Sequence, residues 1–305
     1  MYNGENDVEG GFNLITLKND FLTVQINEKG AELTSVIDND EHFEYMWQGN
    51  KETWNRHAPV LFPIVGRLQD DSYEDENQHY HMTQHGFARD YDFVVESQTD
   101  SKVVLSLADS AETRKIYPFE FKLTMMFELD DHALMVSNTV ANQSARELLF
   151  SIGNHPGFNV PMANSTTDFA DYNLMFSPKK VYKTIPLVGP FSDLTNPGEL
   201  ELKRPLPLTH NLFEHDAQIL KLDGEETTVM LSTTANDHGV ALTVQNAPYL
   251  GIWSTYPTEG AFVCIEPWWG IADTVNANGQ LAHKADIRKL AIGQEETFTY
   301  QISYF

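Results

Sequence analysis

Apolar residues recur at every second position along much of this chain, and that spacing constrains its fold more than any other feature. Leu22, Val24 and Ile26 alternate with Thr23 and Gln25; Val103, Leu105 and Leu107 share one face of a similar run; Leu242 and Val244 alternate with Thr243 and Gln245. Successive side chains of a strand point to opposite faces, so these runs predict strands with one dry and one wet face. Residues 122–138 read as a hairpin, because KLTMMFEL and ALMVSN flank the turn-prone Asp130, Asp131 and His132. Residues 298–305, FTYQISYF, predict a closing strand. Helical spacing is confined to short stretches at 109–115 and 208–215, while recurrent Pro and Gly make 177–207 read as an irregular surface excursion.

The chain has 305 residues, 41% of them hydrophobic, enough to bury a large core. Many short strands, few helices and no flexible linker point to an all-β fold, one large antiparallel β-sandwich; two smaller β-domains are the alternative. A single domain over 1–305 is expected, with 1–12 as a flexible N-terminal extension.

Forty-four acidic against 20 basic residues give a net charge of -24, which repels phosphate backbones and anionic lipid. Neither nucleic acid nor membrane is an expected partner. Cys264 is the single cysteine and forms no internal disulfide; the first residues lack an export pattern; the longest apolar stretch, 58–65, is interrupted by Pro59 and Pro63. A cytoplasmic protein is expected.

Four segments place polar groups among apolar neighbours beside Gly or Pro. In APVLFPIVGRL, Arg67 follows Gly66 and needs a partner, either a structural carboxylate or a ligand oxygen. In HYHMTQHGFAR, His79 and His81 share one strand face and His85 could join them, but the spacing matches no ligand set and no metal is expected. In LLFSIGNHPGF, a strand ends at His155, whose pKa near neutrality would suit proton transfer. In FVCIEPWWGIAD, Glu266 sits among aromatics, where desolvation would raise its pKa and a nearby Arg67 would keep it ionised. Flat aromatic faces beside a carboxylate also suit a sugar, whose ring carries an apolar C–H face.

Gly66-Arg67, HGFAR at 85–89, NHPGF at 154–158 and CIEPW at 264–268 occur in the order and approximate spacing of the aldose 1-epimerase (galactose mutarotase) family. The chain resembles its shorter branch, related to products of bacterial lactose operons. The resemblance implies a cofactor-free interconversion of α and β anomers. It implies Glu266 as the general base on the anomeric hydroxyl, His155 as the general acid on the ring oxygen, His85 as a hydrogen-bonding group near the reacting centre, and Arg67 as a sugar contact supporting the base. The aspartate that binds sugar hydroxyls in longer members has no clear equivalent; Asp216 and Asp273 are positional candidates. Trp253 and Trp269 are candidates for the pocket wall.

Competing readings are a glycoside hydrolase pairing Glu266 with Asp273, a non-catalytic sugar-binding or sensing protein, and a hexose-phosphate epimerase. The last requires a cation cluster, for which only Arg67 and Arg89 are visible. A neutral hexose is the expected substrate, and a monomer or homodimer the expected assembly.

Overall fold

A computed structural model of the protein describes residues 14–162 and 166–305. The expected 1–12 extension lies outside the described residues. Two large antiparallel sheets form a β-sandwich. The nine-stranded sheet runs, edge to edge, through Leu206–Pro207, Tyr172–Ser177, Thr227–Thr233, Gly239–Val244, Glu295–Tyr304, Ala133–Asn142, Phe121–Asp130, Lys102–Ala108 and Val94–Gln98. The eight-stranded sheet runs through Gly198–Glu201, Val181–Ile185, Gln218–Lys221, Tyr249–Trp253, Phe262–Trp269, Ile152–Asn154 and Val60–Leu61, with Gly157–Asn159 as a further partner of Phe262–Trp269.

The alternation becomes burial directly. Leu22, Val24, Ile26, Val103, Leu105, Leu107, Leu242 and Val244 are all buried, with the half-buried Thr23, Gln25 and Thr243 between them on the wetter face of the first and last of these strands. Phe121–Asp130 and Ala133–Asn142 form the expected hairpin, with Ala133 opposite Asp130 and Asp131 at φ 47° in the left-handed region. The core between the sheets is one continuous cluster from Ile15 to Tyr304, and Trp269 crosses it to meet Phe298 with ring centroids 5.2 Å apart. The short helices fall where expected, as Thr113–Ile116 and the 3-10 turn His210–Phe213.

One expectation is corrected. Residues 177–207 are not an irregular excursion: Val181–Ile185, Gly198–Glu201 and Leu206–Pro207 extend the edges of both sheets. Their backbones pair with existing edges, so the ladder orders a stretch whose Pro and Gly content hides it in the sequence.

Candidate active site

Strand Phe262–Trp269 is buried along its whole length, and its parity sorts its residues. Val263, Ile265 and Trp269 join the main core, whereas Glu266 and Trp268 line a pocket of about 630 Å³ on the opposite face. On the neighbouring chain segment, Gly153 lies opposite Trp268 and Gly157 opposite Cys264. Continuing that register through the break at Pro156 places His155 opposite Glu266. The two meet as cross-strand neighbours, with His155 Nε2 3.1 Å from Glu266 Oε2.

Glycines make room for the aromatic wall. A side chain at Gly251, opposite Glu266, would come within 2.7 Å of the Trp268 ring, and one at Gly153 within 2.8 Å of its other edge. A side chain at Gly157 would lie 2.9 Å from Trp54. Trp54 in turn stacks on the His155 imidazole at 4.8 Å, with Trp253 edge-on at 5.5 Å.

Burial dominates the electrostatics. It holds His155 neutral, its pKa pushed down to about 3, and pushes the Glu266 carboxyl well above the carboxylate range, with the nearby Asp216 adding in the same direction. The Trp268 indole pulls Glu266 the other way but makes no well-formed bond to it. Asp216, at φ 73°, is itself raised by burial, more than its bonds from Ala217 and Trp253 lower it. Burial thus disfavours the charged form of both groups. Glu266 Oε2, His155 Nδ1, Trp268 Nε1 and Thr255 Oγ1 are buried with no hydrogen-bond partner among the described residues, a concentration of unmet polar atoms that suits a hydroxyl-rich ligand.

His85 is oriented by a reciprocal pair of bonds: its backbone N–H donates to the Gly66 carbonyl at 2.8 Å, and the Gly66 N–H donates to its Nδ1 at 3.1 Å. Nδ1 therefore accepts, and the neutral ring carries its proton on Nε2. Burial, with His155 and three arginines nearby, keeps this imidazole uncharged. Gly66 permits the arrangement, since at φ 72° it packs so closely on Ala272 that a side chain there would come within 2.4 Å.

Of the residues singled out in the sequence, Glu266, His155, His85, Arg67, Asp216 and Trp253 line one pocket. Trp269 does not. Its odd offset from Glu266 turns it into the core, and Trp268 takes the wall position. Arg67 is at the rim, bonded to Gln84 at 3.2 Å and 3.7 Å from Asp71, and exerts no resolved pull on Glu266, contrary to the expectation that it keeps the base ionised. The expected near-neutral His155 is also corrected, because burial overrides the intrinsic value. Asp273 is buried away from the pocket, 3.1 Å from Lys284 Nζ and accepting from the Gln69 N–H, so the Glu266–Asp273 pairing for hydrolysis is not assembled. His79 and His81 are exposed on their strand, while His85 lies apart and buried. Trp54 and Trp268 were not anticipated; parity with Glu266 would have found Trp268. A second cavity of about 530 Å³, lined by Thr243, Thr297 and Gln301, holds the Arg288–Glu296 ion pair and, among the described residues, no buried histidine–carboxylate contact.

The aldose 1-epimerase family model matches residues 13–288. The chain belongs to the aldose 1-epimerase family. It is 31% identical to the chromosomal LacX protein of Lactococcus lactis subsp. lactis over 286 residues, 90% of this chain and 94% of that protein. Among solved structures, a galactose mutarotase related enzyme from Lactobacillus acidophilus superposes with a TM-score of 0.94 at 39% identity, covering 96% and 97% of the two chains. A galactose mutarotase-like protein from Lactobacillus casei gives 0.87 at 33% identity, covering 96% and 100%. The aldose 1-epimerase fold is therefore shared along nearly the whole chain. No described helix is long and apolar enough to cross a membrane.

Proposed function

We propose that this aldose 1-epimerase family member interconverts the α and β anomers of a neutral hexose, with Glu266 and His155 as the proton-transfer pair. The observation that carries the reading is their 3.1 Å cross-strand contact in a pocket walled by Trp54, Trp253 and Trp268. Glu266 takes the proton of the anomeric hydroxyl while His155 protonates the ring oxygen, so the C1–O5 bond breaks and the aldehyde forms. Rotation about the C1–C2 bond presents the other carbonyl face. Glu266 then returns its proton to the carbonyl oxygen as His155 recovers its own from the O5 hydroxyl.

The proton distribution that burial favours, carboxyl protonated and imidazole neutral, is the one the pair carries when the sugar is open. The low-polarity floor therefore favours the proton transfers that open the ring. Sugar hydroxyls donating to Glu266 offset this in the closed complex by stabilising its carboxylate. His85, as an Nε2 donor, suits a sugar oxygen. Asp216 and Arg67, which line the same pocket, would contact hydroxyls.

The charge balance supports a neutral sugar over a phosphorylated one. Arg67 and Arg89 line the pocket with Glu52, Glu214, Asp216 and Glu266, and Arg89 is already engaged by the Gln84 carbonyl at 2.7 Å. We take the chain to work as one unit, in keeping with its continuous core; its single cysteine suits a cytoplasmic setting.

Polarimetry on freshly dissolved glucose, galactose and their 6-phosphates tests the reading. Faster equilibration of the neutral sugars than in buffer is expected. Sugar binding with no acceleration would replace an enzyme by a binding protein, and acceleration confined to the phosphates would overturn the substrate class.

A further inference from the structure

We infer that His155, Cys264 and Glu266 form a binding site for one thiophilic divalent cation, zinc above all, at the buried end of the pocket, which His155 and Glu266 line and behind which Cys264 lies. Strand parity puts Cys264 and Glu266 on the same face two positions apart, and the register puts His155 opposite Glu266. One ring nitrogen, the sulfur and one carboxylate oxygen lie within 4.8 Å of one another, and all three residues are buried. A tetrahedral zinc ion holds such atoms at about 2.0–2.3 Å from itself, hence roughly 3.3–3.7 Å from each other. His155 Nε2 and Glu266 Oε2 are 3.1 Å apart, just below that range, so on binding they would spread slightly while the sulfur closes the remaining gap.

Thiolate and imidazole select zinc over magnesium or calcium, and on binding the ion displaces the proton that burial holds on the Cys264 thiol. Three protein ligands leave a fourth position, and Glu266 and His155 face the pocket from which an ion would enter. Glu266 Oε2, fully buried, has no hydrogen-bond partner among the described residues, so no internal bond is lost on binding. Proton transfer to and from the sugar gives Cys264 no part, and its thiol is the only one in the chain.

Metal binding would occupy the lone pairs that carry protons in the reaction, so cation and sugar exclude one another. The site itself stands on three side chains and holds whether or not the pocket turns over sugars.

Cobalt titrated into the full-length reduced protein gives the test. A near-ultraviolet thiolate-to-cobalt charge-transfer band, saturating at one equivalent and bleached by zinc, is expected; with a single cysteine it reports Cys264 alone. Cys264→Ala should lack the band and bind zinc more than about 100-fold more weakly, beyond what loss of an outer-sphere partner costs. Zinc should also protect the wild-type thiol from alkylation. A wild-type protein that gives no band at saturating cobalt overturns the inference without any variant, as does unchanged zinc affinity in Cys264→Ala.

Discussion

His155 faces Glu266 across the ladder of the eight-stranded sheet, 3.1 Å away, with Trp54 stacked on its imidazole. Two side chains held by strand register, as the proposed acid–base pair is, have little freedom to separate.

Removing either member should stop most of the chemistry. Glu266→Gln and His155→Asn are each expected to slow anomerisation by about 100-fold to 10,000-fold, with circular dichroism unchanged. The double variant should lose little more, because the groups act as a unit. Near-wild-type turnover in either single variant, by polarimetry, rejects its role.

The pH profile should carry no histidine limb near neutrality. Burial holds His155 at about 3, so its titration lies below this range. A flat kcat/KM between about pH 7 and pH 5 is expected. A tenfold fall across that interval would show a histidine titrating near its ordinary value.

Stability, unlike the rate, should respond to acid. A histidine whose folded pKa is depressed from 6.5 to about 3 contributes stability that is fully present above 6.5 and is lost as pH falls toward 3, since the unfolded chain binds the extra proton. His155→Asn should flatten the dependence of unfolding free energy on pH in that window by up to about 1.4 kcal/mol per pH unit. Urea titrations at several pH values measure it; parallel slopes for wild type and variant contradict it.

Crowding the indole should weaken sugar binding more than catalysis. Gly251→Ala sets a methyl 2.7 Å from the Trp268 ring, which must tilt from the wall. An increase of about tenfold in KM with a smaller change in kcat is expected, equivalent to about 1.4 kcal/mol of binding. An unchanged KM would mean that the sugar does not rest on this face.

Asp273 and Lys284 form a buried ion pair, so removing one partner strands the other. Lys284→Met is expected to destabilise by about 3–5 kcal/mol, and an apolar double replacement to recover much of the loss. Urea unfolding decides the point, and a loss below 1 kcal/mol, the ordinary worth of an exposed pair, would refute it.

What could be read from the sequence follows the range of the interactions involved. Alternation is local, so strands such as Leu22–Asn27 and the hairpin around Asp131 were legible. Glu266, His155, His85 and Arg67, which the family resemblance singles out, line one pocket with Asp216, a candidate by position alone. Trp269 was misplaced because two adjacent tryptophans look alike until the cross-strand glycines, Gly153 and Gly251, show which indole has room on the pocket face. Trp54 carries no local signal at all, since only the tertiary fold brings it against His155. The protonation of the pair was misjudged for a related reason: burial is a property of the assembled sandwich, and it outweighed the distant Arg67.

The break at Pro156 leaves His155 between two short strands that pair with the same neighbour, so the groups proposed to react belong to the sheet rather than to the loops around it. Arg67, Asp216 and Trp54 arrive from separate segments and can vary without moving the pair. Such a molecule can change which sugar it admits while its chemistry stays fixed in the scaffold, and local opening of the rim would leave the reacting geometry standing until the sandwich itself comes apart.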